Sequence, residues 1–341
     1  MLRRCAGALW IVCSVFAFLY PRGVHAGTAL LLEEPFGTFG RMNPTGHAAI
    51  YLDHICAETP THLRACRPDE PGVVISRYHR VDGYDWVAIP LIPYLYAVDD
   101  LNQVPGEADA GLQAELRDSY RRAHLQHIAP NKKDGSTPNG EWIQLVGSAY
   151  DRKIYGFQLA STPEQDAALI AHFNDSKNIS HFNLLFRNCA DFSRKLINRE
   201  YPGAIRRNFI ADFGLTTPKQ VARSIQHYAA DHPEGEYSTF VVPQVAGSIP
   251  RSRRVNGIAE SLVRSKKYVI PMVLLAPIST AVVGVAWIAG GRLHLPSDAP
   301  VLGVLKRQDE HRQPLQITMA EDQNEAESPG EKQAVHPDAG D

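Results

Sequence analysis

An α+β domain, in which an antiparallel sheet packs against helices, follows from three features of this 341-residue sequence. Segments with alternating apolar residues recur early, at 47–52, 73–79 and 85–91, and Val81-Asp82-Gly83 joins the last two as the turn of an antiparallel hairpin. Helical spacing of apolar residues follows over 109–128 and again after Cys189. Thr162-Pro163-Glu164-Gln165 and Thr217-Pro218-Lys219-Gln220 repeat one helix-start signature: a capping threonine, proline at the first helical position and glutamine three residues after the cap.

The first residues carry an address. Arg3 and Arg4 precede an apolar run over 6–19, and Val24-His25-Ala26 supplies the small-x-small pattern of a signal-peptidase site before Gly27. Residues 1–26 therefore read as an export signal; the alternative is an uncleaved anchor, although the run is shorter than the ~20 residues that a spanning helix needs. Either places the following domain outside the cytoplasm, in the cell envelope. Removal of the signal takes Cys5 and Cys13 with it and leaves Cys56, Cys66 and Cys189. Cys56 and Cys66 bracket a short polar loop in a compartment that permits disulfides, so they are the expected pair and Cys189 the odd thiol.

Taken in order, Gly37, Gly40, Pro44 and Gly46 make a turn-rich approach to the first strand, where Ala48, Ile50 and Leu52 alternate and His47 is the first residue. A lone histidine at a strand edge is more often a satisfied structural residue than a catalytic one. Pro90 and Pro93 close the hairpin, 131–140 is a polar loop, and Trp142, Gln144 and 148–159 read as further strands bent at Gly147 and Gly156. Helices are expected to about Phe173, after Cys189, and from Pro218 to about Ala230. Asn174 and Asn178 stand in short glycosylation-acceptor patterns. The domain is expected to span 27–245, followed by a basic linker over 246–267 (Arg251, Arg253, Arg254, Arg264, Lys266, Lys267). The uncharged apolar run over 268–291 is long enough to cross a bilayer, with a buried core helix or strand pair as the alternative suggested by Pro271, Pro277 and Gly284. The acidic remainder, 292–341, has the composition of a disordered tail.

Lys and Arg number 35 against 37 Asp and Glu, which gives no electrostatic case for nucleic acid. Gly37-Thr38-Phe39-Gly40 is too short for a phosphate-binding or dinucleotide loop and no metal-ligand cluster is apparent, so no cofactor is expected. The chemistry-bearing stretch is 182–198. Phe182, Leu184, Leu185 and Phe186 lead into Asn188-Cys189, and Phe192, Leu196 and Ile197 recur at helical spacing. Cys189 should thus begin a helix, where unpaired amides and the dipole lower a thiol pKa; the competing reading is a small buried hydrophobe.

Gly46-His47-Ala48-Ala49-Ile50 followed far downstream by Asn188-Cys189-Ala190-Asp191-Phe192 resembles the circularly permuted papain-like cysteine hydrolases. These are relatives of NlpC-type peptidases and of lecithin:retinol acyltransferase, and the likeness is nearest to bacterial periplasmic domains of the Lnb type. The resemblance implies a papain-like α+β fold with Cys189 as nucleophile, His47 as base and Asn188 supporting the oxyanion site. The third residue, which would orient the histidine, matches no motif; His79 is the first candidate, with Glu58 and Asp53 behind it. A membrane-tethered enzyme of this kind would cut amide bonds in cell-wall peptide or act on lipid acyl groups. The rival reading is a non-catalytic membrane-anchored binding or assembly module with the same fold.

Overall fold

A computed structural model describes residues 27–79, 81–303 and 305. The export signal and nearly all of the acidic tail lie outside the described residues. The described chain up to Pro300 belongs to one compact unit.

Its centre is a strand that alternation could not reveal. Strand β1 (Gly27–Glu33) is buried along its whole length, so it reads as an apolar run. It pairs antiparallel with β2 (His47–Leu52), after a short helix α1 (Gly37–Met42). A separate hairpin follows, β3 (Ile55–Thr59) with β4 (His62–Ala65), in the stretch expected as a polar loop. The Cys56–Cys66 disulfide spans it, and Cys189 is the free cysteine among the described residues. Strands β5 (Val73–Ser76) and β6 (Val87–Pro90) are the expected hairpin, each shorter than the alternation suggested.

Helix α2 (Leu91–Tyr96), strand β7 (Glu107–Ala108) and helix α3 (Ala110–His124) come next. The stretch expected as strands from Trp142 instead forms a 3₁₀ turn, Glu141–Leu145, and helix α4 (Ser148–Asp151) before strand β8 (Ile154–Ala160). Helices α5 (Pro163–Asp175) and α7 (Pro218–Asp231) start where the caps predict, and α6 (Cys189–Glu200) begins at Cys189 as the apolar spacing predicts. Strand β9 (Tyr237–Val242) completes a six-stranded sheet in the order β6-β5-β2-β1-β8-β9, antiparallel throughout. Helix α6 covers one face through Thr28 Oγ1 to Glu200 Oε2 (2.6 Å) and the Arg77 guanidinium over the Phe192 ring (5.0 Å). Tyr94 of α2 and Ser148 of α4 reach the other face at Glu33. The Asn174 and Asn178 side chains hold backbone groups of Leu63, Asp85 and Trp86, so both act as pins between α5, its following loop and the strands.

The segment expected as a basic linker is part of the domain. After strand β10 (Ala246–Gly247), which pairs with β7, Arg253 N donates to Pro35 O at 3.0 Å and Asn256 N to Pro44 O at 2.9 Å. The chain thereby straps the loop ahead of His47. Helix α8 (Ile258–Arg264) then places the Glu260 carboxylate in a buried ion pair with Lys219 of α7.

The expected spanning helix is corrected too. Residues 268–291 lie in two helices, α9 (Lys266–Leu275) and α10 (Pro277–Gly290), separated by Ala276 at φ −148°, ψ 63°. Proline at 277 drives the preceding residue out of helical conformation. At 1.5 Å per residue the helices span roughly 15 Å and 21 Å, against a hydrocarbon core of about 30 Å. Among the described residues no helix is long and apolar enough to cross a membrane.

The Lys219–Glu260 pair separates an integral α8 from a detachable linker. Glu260→Ala leaves a buried ammonium uncompensated and is expected to cost about 3–5 kcal/mol in urea denaturation. A linker helix would show a change within about 0.5 kcal/mol.

Candidate active site around Cys189 and His47

Gly46 sets the entry to β2. Its φ is +72°, and a Cβ there would lie 2.2 Å from the Glu33 carbonyl oxygen, so only glycine lets the chain cross β1 this closely. His47 follows in register with Glu33. Its Nε2 lies 2.7 Å from Ser76 Oγ, and its ring stacks on Tyr78 with centroids 4.7 Å apart. Ser76 Oγ donates its single proton to Ala48 O at 3.0 Å. With its proton on Ala48 O the hydroxyl accepts from His47, the arrangement that puts the imidazole proton on Nε2 and leaves Nδ1 as the acceptor.

Asn188 sets the start of α6. Its Oδ1 accepts from Asp191 N at 2.9 Å, the bond of an N-cap, while Nδ2 donates to Leu184 O and Thr216 O. Both amide hydrogens are thus engaged with carbonyls, and the residue acts as a cap and brace for the turn that carries Cys189. The thiol is half-buried, and backbone N–H groups of Ala48, Ala190 and Cys189 itself face the sulfur.

Ala48 joins the two halves. Its carbonyl accepts from Ser76 while its N–H faces Cys189, beyond the end of the regular β2–β5 pairing at Ile50 and Ile75. Ser76, which holds the His47 ring, and the Cys189 thiol therefore meet the two backbone groups of one residue, although no hydrogen bond joins the imidazole to the thiol. Glu33, Ser76, Tyr78 and Arg152 are the neighbours that motif reasoning missed. Polar residues alternating in the strand, Ser76 and then Tyr78, were the available signal for two of them.

The charge state differs from the helix-dipole expectation. Burial pushes the Cys189 thiol up to about 11; the three amides oppose the shift and the Glu33 carboxylate adds to it. Burial, and after it the Arg152 guanidinium, hold the His47 imidazole well below its ordinary range. Arg152 is fixed by Glu33, at 3.0 Å from Nη1 to Oε2, and Glu33 also accepts from Ser148 Oγ and Tyr94 Oη. Near pH 7 the pair rests as neutral thiol and neutral imidazole.

The other sequence candidates are engaged elsewhere. His79 is exposed, with its ring 5.1 Å from that of Phe182, in a surface cleft with Asp82, Ser180 and His181. Glu58 is exposed, with its carboxylate 3.0 Å from His62 Nδ1. Asp53 accepts from Gly27 N and from Gln158 Nε2. The group hydrogen-bonded to His47 is Ser76. Among the described residues the one cluster of potential metal ligands is Cys56, Cys66 and Glu70, whose two sulfurs are tied in the disulfide. Compared with protein-family models, curated proteins and solved structures, the chain matches none.

A protonated resting thiol has a measurable consequence. Cys189 is expected to alkylate slowly with iodoacetamide at pH 7, and the rate should climb as pH approaches about 11. A plateau already reached below pH 8, followed by mass spectrometry of the modified peptide, would show a preformed thiolate instead.

Proposed function

We propose that this chain is an exported cysteine hydrolase of the circularly permuted papain-like kind, acting on an amide or acyl bond. The observation that carries this reading is the backbone of Ala48, whose C=O holds the serine bonded to His47 and whose N–H faces the helix-borne thiol. In the reaction, Nδ1 takes the proton of the Cys189 thiol as the sulfur attacks the acyl carbon. The imidazolium then protonates the leaving group, and water attacks the acyl-thioester with His47 again as base. Backbone N–H groups at the start of α6 and of Ala48 are the candidates to hold the developing oxyanion. Ser76 takes the orienting role that the family gives to a third polar residue. Substrate closes the remaining gap between ring and sulfur, as catalytic bonds that are long in empty sites tighten on binding.

A second reading, a binding module with a structural cysteine, is favoured by one observation, the thiol held protonated in the resting state. A thiol-directed, acyl-mimicking activity probe on the intact protein separates the two. The enzyme reading expects labelling that Cys189→Ala abolishes and His47→Ala slows by about 10²-fold or more. Slow labelling indifferent to His47 supports the binding module.

Ser76 and the low imidazole pKa add a pH signature. The acid limb of the labelling rate is expected below 6.5, because a buried imidazole beside Arg152 stays neutral as pH falls. Ser76→Ala frees the tautomer and should lower the rate about tenfold near neutral pH. An acid limb at or above 6.5 would contradict the assignment of His47 as this base.

A further inference from the structure

Helices α9 and α10 carry an apolar surface that the domain does not cover. Leu274 and Leu275 are 76% and 85% exposed, and Ile278, Val282 and Val285 continue the same exposure along α10. The surface does not stop at these two helices. Asn208 Nδ2 donates to Gly290 O at 2.8 Å, and exposed Phe209 and Ile210 follow Asn208 in the chain. The Arg207 guanidinium lies 6.0 Å from the Phe186 ring, and exposed Leu184, Leu185 and Phe186 lead directly into Asn188. Exposed apolar side chains thus stand on the two helices, on the loop bonded to the end of α10 and on the segment before the Cys189 helix.

Charge identifies what such a surface fits. Between 261 and 297 there is no Asp or Glu, whereas Arg264, Lys266 and Lys267 stand at or just before the start of α9 and Arg292 just past the end of α10. Lys266 and Lys267 are exposed. We propose that α9, α10 and the 209–213 loop lie in the headgroup boundary of an anionic lipid bilayer, with the helices in the plane of the membrane. Exposed apolar side chains would enter the acyl boundary while the basic ends contact lipid phosphates. Both helices are too short to span, which favours surface-bound helices over crossing ones. The inference does not depend on catalysis by Cys189.

Flotation of the full chain with sealed vesicles tests it. Vesicles of phosphatidylglycerol and phosphatidylcholine should carry the protein at least about tenfold better than phosphatidylcholine alone at low salt. Leu274→Glu with Leu275→Glu should reduce flotation at least about tenfold and leave the far-ultraviolet circular dichroism and thermal midpoint unchanged, since both side chains are exposed. Lys266→Glu with Lys267→Glu should remove the preference for the anionic lipid. Unchanged flotation of the leucine variant would overturn the proposal, as would a lipid-free dimer in sedimentation equilibrium that this variant converts to monomer, because a second copy would then cover the face.

Discussion

The backbone of Ala48 is the constraint on which the site depends. Inside a sheet its N–H and C=O would belong to a neighbouring strand; here the ladder with β5 ends two residues further on, and both groups serve side chains instead. One holds the serine that fixes the imidazole tautomer, and the other faces the thiol. The splay between β2 and β5 is thus what allows chemistry at this edge of the sheet. Gly46 supports it from the other side, because the close crossing over Glu33 aims the chain into β2.

Glu33 supplies the electrostatic background. A carboxylate in the central strand requires compensation, and Arg152, Ser148 and Tyr94 provide it. The same guanidinium disfavours a proton on His47, and the same carboxylate disfavours charge on Cys189. The helix dipole is real but small beside desolvation, which explains why placing a cysteine at a helix start does not by itself make a thiolate.

The sequence disclosed most where local chemistry decides. The caps at Thr162 and Thr217 set their helices, and a short loop between cysteines marked the disulfide. It concealed features that depend on distant chain. Strand β1 lacks alternation because both its faces are covered, and α8 lies in the basic stretch after 245 that looked like a linker. The apolar run over 268–291 has the composition of a span, but Pro277 cuts its length, and length is what crossing requires. Ser76 was hidden for another reason: a serine in a strand carries no signature until the neighbouring histidine is known.

A neutral resting pair also has a chemical logic in the exported setting proposed for this domain. Thiolates rather than thiols are oxidised and exchange with disulfides, so a free cysteine outside the reducing cytoplasm is safest when protonated. Burial supplies that protection at Cys189, and the lone pair left on His47 Nδ1 keeps a route to the nucleophile open once substrate displaces water and draws the two side chains together. Reactivity then depends on occupancy of the site rather than on its resting charge. The single unpaired cysteine among the described residues can on this account be both exposed to an oxidising environment and kept as a reagent.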